Sequence, residues 1–236
     1  MATRIAVLAS GRGSNLEALI DYLDTPDAPR SGRVELVVSD RPDAGALKLA
    51  RVSGIHAEPL PAAPDAQGAA LSVVLREHGI ELIVLAGYLR LIPADVVREY
   101  HGRILNVHPA LLPAFGGKGM YGANVHRAVI ASGARVSGAT VHFVDDVYDR
   151  GPIIAQWPVP VFGEDTPDTL AARVLRVEHL LLPRTVDALA AGRVRLDPDG
   201  RVRGILDVDY PDAAFALLLE PEEAILGHDI TTALAR

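Results

Sequence analysis

The amino-acid sequence predicts an α/β protein: a doubly wound, mostly parallel sheet with helices on both faces. Three observations carry that expectation. Over the first hundred residues, short apolar runs alternate with helical patterns, the order of strand–helix–strand units. The runs are continuous rather than alternating (Ile5-Ala6-Val7-Leu8; Leu82-Ile83-Val84-Leu85), so both faces of each strand must be covered. The first run leads directly into Ser10-Gly11-Arg12-Gly13-Ser14-Asn15-Leu16, a glycine turn that opens a helix.

The elements follow in order. Residues 5–8 read as the first strand and 16–23 as the first helix; 34–38 and 44–52 are the second pair. An extended piece at 55–60 leads into a loop rich in proline and alanine. A helix then ends near His78, with Gly79 as its C-cap. Segments 82–86 and 104–107 complete this set of strands. Beyond residue 113 the pattern changes. Residues 113–122 carry four glycines and few helix formers, a loop long enough to be functional. A short helix at 124–131 precedes strands at 137–144 and 152–161, which an acidic turn joins. A long helix opens with Thr166 as N-cap, Pro167 at its first position and Asp168 in its first turn. Leu170, Val174, Val177 and Leu181 form its apolar stripe, and Pro183 must kink or split it. Asp197-Pro198-Asp199-Gly200 signals a hairpin within 192–204. The residues beyond 204 are acidic and less regular.

Composition narrows the function classes. At 236 residues, the chain holds one large domain or one plus an appendage. With 49% hydrophobic and 22% charged residues, wholesale disorder is excluded. A net charge of −7 and only 5% aromatic residues argue against a nucleic-acid surface, which needs basic patches and stacking rings. The absence of cysteine removes disulfides, thiolate zinc sites and cysteine nucleophiles. No segment approaches the roughly 20 apolar residues that span a bilayer, and the start lacks a secretory pattern. The expectation is a soluble, cytoplasmic protein that engages no membrane.

Three segments can do chemistry. At Ser10 to Leu16, backbone N–H groups at a helix start form an anion site favoured by the helix dipole, and Arg12 adds a positive charge. Ser14 and Glu17 also spell a capping box around a tight turn, and both readings can hold together. A dinucleotide site is the rival, with Asp40 ending the second strand where a ribose-binding carboxylate would sit. Leu16 stands where the third glycine of that fingerprint belongs, however, and the gap to Asp40 exceeds the usual ~20 residues.

The second segment is Asn106-Val107-His108-Pro109. Residues two apart on a strand share a face, so Asn106 and His108 project together at the carboxyl end of a strand, where open α/β sheets bind ligands. An amide donor beside an imidazole can hold a developing oxyanion and move a proton. A buried Asn and His that merely satisfy each other is the alternative. The third segment, His142 to Pro152, clusters Asp145, Asp146 and Asp149 with Arg150. One of these acids near His108 would favour the imidazolium and raise its pKa; otherwise the cluster is a solvated acidic turn. Metal binding fits poorly, because the eight histidines lack His-Glu-x-x-His spacing and the acids lack the pattern of an EF-hand loop. Glu178 with His179, in mid-helix, reads as a solvent-facing pair.

Taken jointly, these segments resemble a known family. Gly-x-Gly-Ser-Asn-Leu after the first strand is followed by Ala86-Gly87-Tyr88-Leu89-Arg90-Leu91-Ile92 and by Asn106-Val107-His108-Pro109-Ala110-Leu111-Leu112-Pro113. Gly138-Ala139-Thr140-Val141-His142-Phe143 and Asp149-x-Gly151-Pro152-Ile153-Ile154 complete the series. Their order and spacing resemble the phosphoribosylglycinamide formyltransferases, folate-dependent enzymes of de novo purine synthesis, from about Arg4 to Gly192. The Asn-x-His-Pro-x-Leu-Leu-Pro and Asp-x-Gly-Pro motifs mark folate formyl transfer and hydrolysis as a superfamily, and Gly-Ser-Asn-Leu separates the purine enzyme from its relatives.

The resemblance implies a formyltransferase-like, Rossmann-related fold and a role for each matching residue. Asn106, His108 and Asp149 match the catalytic trio: the glycinamide amine would attack the formyl carbon of the co-substrate 10-formyltetrahydrofolate, and Asn106 with protonated His108 would stabilise the oxyanion while Asp149 keeps His108 charged. His142 matches a supporting histidine. Gly13, Ser14 and Asn15 would hold the substrate phosphate. Glu178 matches the carboxylate that holds the ribose hydroxyls, against its solvent-facing reading. Leu89, Arg90, Leu91 and Ile92, with Asn106 and the turn Asp145, Asp146, Val147, Tyr148 and Asp149, would line the folate pocket, mostly through backbone groups. The domain would span 1–192, with a phosphate-binding half over about 1–100 and a folate and catalytic half over about 101–192; 193–236 would be a hairpin and tail. The implied partners are these two small molecules, with no metal and no nucleic acid, and a homodimer is left open.

Three departures stand out. The loop Phe115-Gly116-Gly117-Lys118-Gly119-Met120-Tyr121-Gly122 is longer than the short Pro-Gly type of many members. An arginine found near the folate in some relatives has no clear counterpart around 65–68. The tail beyond Gly204 lies outside the match. The alternatives are a 10-formyltetrahydrofolate hydrolase, which looks different at its front, and a non-catalytic phosphosugar- or nucleotide-binding module. Methionyl-tRNA formyl transfer would call for a tRNA-facing domain and positive charge.

Overall fold

The computed structural model describes residues 2–25, 30–61 and 63–204. The chain runs β1 (Thr3–Leu8), α1 (Ser14–Leu23), β2 (Gly32–Ser39), α2 (Gly45–Val52), β3 (His56–Pro59), α3 (Pro64–Glu77) and β4 (Leu82–Leu85). It continues with α4 (Ala94–Glu99), β5 (Ile104–His108), α5 (Ala123–Ala131), β6 (Val136–Phe143), β7 (Ile153–Pro160), α6 (Pro167–Ala190), β8 (Val194–Leu196) and β9 (Val202–Gly204). Among the described residues, β1 to β7 form a seven-stranded sheet ordered 3-2-1-4-5-6-7. β1 to β5 pair in parallel, whereas β6 and β7 add as an antiparallel hairpin. The doubly wound, mostly parallel sheet expected from the sequence is therefore present.

Alternation along the central strands divides the core into two layers. Ile5 and Val7 of β1, with Ala9 just beyond it, pack with Leu16 and Leu19 of α1, Leu47 of α2 and Leu170, Val174 and Leu181 of α6. Ala6 and Leu8 face the other way, against Leu71 and Leu75 of α3 and Val96 of α4. Continuous apolar runs are what such two-sided burial demands. Each of the leucine, isoleucine and valine side chains among these contributes about 1.5–3 kcal/mol by leaving water.

The order of strands also places the site. Chain growth proceeds from β1 outward to β3, then crosses back so that β4 lies on the other side of β1. Where the winding reverses, the loops after β1 and β4 diverge and leave a crevice at the carboxyl ends of the strands. Those loops are residues 9–13 and 86–93.

α6 runs as one helix through its internal proline. Its start is as predicted: the Thr169 amide donates to Thr166 Oγ1 at 3.2 Å and the Thr166 amide donates to Thr169 Oγ1 at 3.0 Å. Arg173 grips Asp165 through both terminal nitrogens, at 2.7 and 2.9 Å, and this pairing pulls the Asp165 carboxyl down to about 2. The helix is not split at Pro183, however. It continues to Ala190 with Pro183 buried, so of the two outcomes the sequence allowed, a kink or a split, the split does not occur, although the proline leaves one intrahelical hydrogen bond unmade. α4 was absent from the sequence reading, because six residues fall below the length at which helical periodicity is visible. Pro93 just before it, Asp95 in its first turn and Arg98 in its last were the available signals. At the far end β8 and β9 pair antiparallel around the 197–200 turn, as the Asp-Pro-Asp-Gly motif predicted. The tail expectations concern residues 205–236, outside the described residues.

Candidate active site

The first end of the site is the turn after β1. Gly13 is the N-cap of α1 at φ 94°, and no side chain caps the helix. The predicted Ser14–Glu17 capping box does not form: with Gly13 in the left-handed region, Ser14 is already the first helical residue and cannot act as its own cap. A Cβ on Gly13 would also stand 2.9 Å from the Ala46 Cα, so the turn is held tight against α2. The first-turn amides are left for an anion to meet.

Next to these amides, Asn15 Nδ2 donates to Glu178 Oε2 at 2.7 Å, while Asn15 Oδ1 is buried with no partner in the protein. Glu178 is only 7% exposed, and burial pushes its carboxyl up to about 7 against the opposing pull of the Asn15 amide. The solvent-facing reading of Glu178 and His179 is thus corrected. α6 lays this face against α1, and the His179 imidazole is held below its ordinary value by burial. A signal was present in the sequence: position 178 follows Val174 by four residues and precedes Leu181 by three, on the very stripe that packs into the core.

The second end lies on β5 and β6. Register pairs Asn106 with His142 and His108 with Thr140, so one face of two strands presents all four side chains. His142 Nδ1 donates to the Phe143 carbonyl at 2.7 Å, which leaves Nε2 to accept from Asn106 Nδ2 at 3.1 Å. Asp149, itself at φ 55°, turns inward from the loop. Its Oδ2 lies 3.6 Å from His108 Nδ1 and accepts from the Gly117 amide at 2.8 Å; its Oδ1 lies 3.7 Å from His142 Nε2. Burial alone would raise the Asp149 carboxyl, but both histidines and the Gly117 amide together bring it below the usual value.

His108 behaves otherwise than the sequence implied. It is 3% exposed, and burial holds its imidazole below the ordinary histidine value although Asp149 and the Phe115 carbonyl both pull upward. Its Nε2 lies 2.8 Å from the Phe115 carbonyl. A neutral ring carries one N–H, so it can serve either Phe115 or Asp149; the imidazolium serves both. Burial makes the charged ring costly, and Asp149 reduces that cost without removing it.

Sequence reasoning missed the support beneath His108. Thr140 Oγ1 donates to the Ala110 carbonyl at 2.6 Å and accepts from the Leu112 amide at 3.0 Å. Gln156 Nε2 lies 2.8 Å from the Leu112 carbonyl and 3.0 Å from Thr140 Oγ1. Thr140 stands two residues before His142, which was the hint that it shares the face. The glycine-rich loop also takes part, through the Phe115 carbonyl and the Gly117 amide.

Between the two ends runs the segment after β4. A cleft of about 330 Å³ is lined by Leu60, Gln67, Tyr88, Leu89, Arg90 and Tyr148, among others. Leu91 lines it too, whereas Ile92 is buried in the core beneath. Of the acidic turn, Tyr148 reaches this cleft; Asp145 caps the Val147 amide at 2.9 Å, and Asp146 and Val147 face solvent. None of Asn106, His108 and Asp149 lines it. Asp40 accepts from Ser10 Oγ and Arg90 Nε. Among the described residues no three His, Asp or Glu side chains gather as a metal would require.

Amide, imidazole and carboxylate at the carboxyl edge of a doubly wound sheet, beside an uncapped helix start, define an α/β enzyme site for group transfer to or from a small molecule. The chain belongs to the formyl transferase family, which matches residues 3–186. It is 45% identical to the chloroplastic phosphoribosylglycinamide formyltransferase of Arabidopsis thaliana over 84% of this chain and 68% of that protein. It is 38% identical to the phosphoribosylglycinamide formyltransferase of Escherichia coli over 81% of this chain and 89% of that protein. The crystal structure of glycinamide ribonucleotide transformylase 1 from Symbiobacterium toebii superposes with a TM-score of 0.79 at 39% identity, covering 86% of this chain and 94% of that one.

Proposed function

We propose that the protein transfers the formyl group of 10-formyltetrahydrofolate to the amine of 5-phosphoribosylglycinamide, a step of purine synthesis carried out in the cytoplasm. The observation that carries the reading is that one sheet edge holds both an Asn106–His108–Asp149 cluster and, at the start of α1, an Asn15–Glu178 pair with unmet hydrogen-bonding capacity. The first suits acyl chemistry and the second a phosphosugar: first-turn amides for the phosphate, Glu178 and Asn15 Oδ1 for the ribose hydroxyls. Tyr88, Leu89, Arg90, Leu91 and Tyr148 would receive the folate.

The amine nitrogen attacks the formyl carbon, and the carbonyl electron pair moves onto oxygen. Asn106 has a second amide hydrogen beyond the one given to His142, and it is available to that oxygen. His108 Nε2 would exchange the Phe115 carbonyl for the same oxygen. Arrival of negative charge offsets the burial that makes the charged ring costly, so His108 becomes an imidazolium when the intermediate needs one and Asp149 stabilises it. Collapse then breaks the bond to N10 of the folate. The nitrogen takes up a proton, and the former amine gives one up.

His108→Ala tests this directly. Turnover should fall by about a thousandfold, the scale of removing a group that moves protons and holds an oxyanion. Phosphoribosylglycinamide should still bind within about threefold, because its phosphate end is built on α1 and α6. Unchanged turnover would overturn the mechanism.

A further inference from the structure

The switch in strand order leaves two loops to be held together. Ser10, just beyond β1, donates its amide to the Gly87 carbonyl at 3.1 Å. Its hydroxyl accepts from the Leu89 amide at 3.1 Å and gives its own hydrogen to Asp40 Oδ1 at 2.6 Å. The second oxygen of Asp40 accepts from Arg90 Nε at 3.0 Å. One carboxylate at the end of β2 thus fixes the turn that opens α1 and two consecutive residues of the cleft wall.

We propose that Asp40 is a positioning residue that ties the phosphate end of the site to the folate end, so that filling either end favours filling the other. The proposal rests on the two-substrate reading above. Asp40 reaches neither the amine nor the formyl group. It acts through Ser10, whose neighbours Gly11 to Ser14 form the anion turn, and through Leu89 and Arg90 in the folate cleft.

Two features make a carboxylate fit this role. A hydroxyl has one hydrogen to give: with Ser10 Oγ accepting from Leu89, that hydrogen goes to Asp40 Oδ1, and the second carboxylate oxygen is left for Arg90. The Asp40 side chain is only 7% exposed, against 43% for Arg90, so little solvent screens its end of the pair. The result is a chain of hydrogen bonds, Leu89 to Ser10 to Asp40 to Arg90, in which no link is free to rotate away alone. A phosphate that orders the 11–14 turn also orders Ser10. Leu89 and Arg90 are then fixed without further loss of freedom, and the folate that uses them binds at lower entropic cost. The effect must be the same in the other direction.

Calorimetry on the full chain tests it. Phosphoribosylglycinamide is titrated into the protein with and without saturating tetrahydrofolate, a product that has no formyl group to give. Wild type should bind the phosphosugar at least about fivefold more tightly when the folate is present, the lower end of usual coupling. Asp40→Ala should bring that factor close to one, with kcat at saturation of both substrates within about twofold. Asp40→Asn keeps an oxygen for Ser10 but loses the charge that holds Arg90, and should retain part of the coupling. It also tests the charge alone if the alanine variant melts. A wild-type factor of one, with both ligands binding, overturns the coupling and leaves the transferase reading standing. So does full coupling in both variants, or a fall in kcat with coupling intact. Failure of either ligand to bind wild type refutes the transferase reading instead.

Discussion

Glu178 and Asp149 are both carboxyls buried at the same edge of the sheet, yet their environments drive them in opposite directions. Glu178 meets a single amide from Asn15, and burial wins, lifting it to about 7. Asp149 meets two imidazoles and the Gly117 amide, and these outweigh burial to bring it below its usual value. Burial pushes both carboxyls up, and what differs is how much each finds to oppose it: one amide at Glu178, an amide and two neighbouring imidazoles at Asp149. Asp149 is complete as folded and can act as a fixed charge. Glu178 lacks donors, and the hydroxyls of a sugar would supply them.

Substitutions at the two carboxyls should expose this contrast. The largest effect is expected at Asp149→Asn, which removes the charge opposite His108 while keeping the shape. Steady-state kinetics should show kcat lowered about a thousandfold with KM for phosphoribosylglycinamide nearly unchanged. Glu178→Gln should do the reverse, raising that KM about tenfold by weakening charge-assisted hydrogen bonds while kcat is largely retained.

The same variant separates the two carboxyls by stability. Glu178 binds its proton more tightly folded than unfolded, so its contribution is complete below about 4.5 and is lost as pH rises through about 7. Glu178→Gln should therefore be more stable than wild type above pH 7, by up to about 3 kcal/mol, with no gain near pH 4; denaturant melts at the two pH values check this. The lowered Asp149 carboxyl contributes in the opposite sense, present above about 3.8 and lost on acidification.

Smaller effects distinguish the two helix starts. Gly13→Ala forces a left-handed residue against Ala46 and should cost about 2 kcal/mol in denaturant melts. Thr166→Ala removes a capping box that is present and should cost about 1 kcal/mol. Ser14→Ala removes one that the sequence spells but the structure lacks, and should cost less than about 0.5 kcal/mol. Equal costs at Thr166 and Ser14 would contradict the geometry at Gly13.

The two ends of the site also differed in how far the sequence revealed them. Asn106 and His108 were legible as a pair because strand alternation is strict, and two residues of separation puts them on one face whatever surrounds the strand. Glu178 was not legible from its own neighbours. A Glu-His pair in mid-helix reads alike whether it faces water or a second helix; its spacing from Val174 and Leu181 was the one hint, and α1 packing on α6 decides. The Asp40 chain of hydrogen bonds joins residues 10, 40, 89 and 90 and needed the strand order itself. The direction in which the His108 pKa moves was misread for a related reason: a nearby acid could be inferred, the depth of burial could not. Net charge misled in a further way. Seven of the 30 acidic residues but one of the 23 basic residues lie beyond Gly204, so the chain up to that point is nearly neutral and opposes an anionic substrate less than −7 suggests.

The central claim is that this site needs both ends at once. It is tested most directly by following 10-formyltetrahydrofolate consumption with and without phosphoribosylglycinamide. Transfer predicts rapid consumption only when the phosphosugar is present, with one formylated product for each folate used. Consumption at the same rate without the phosphosugar would make the protein a hydrolase and contradict the account.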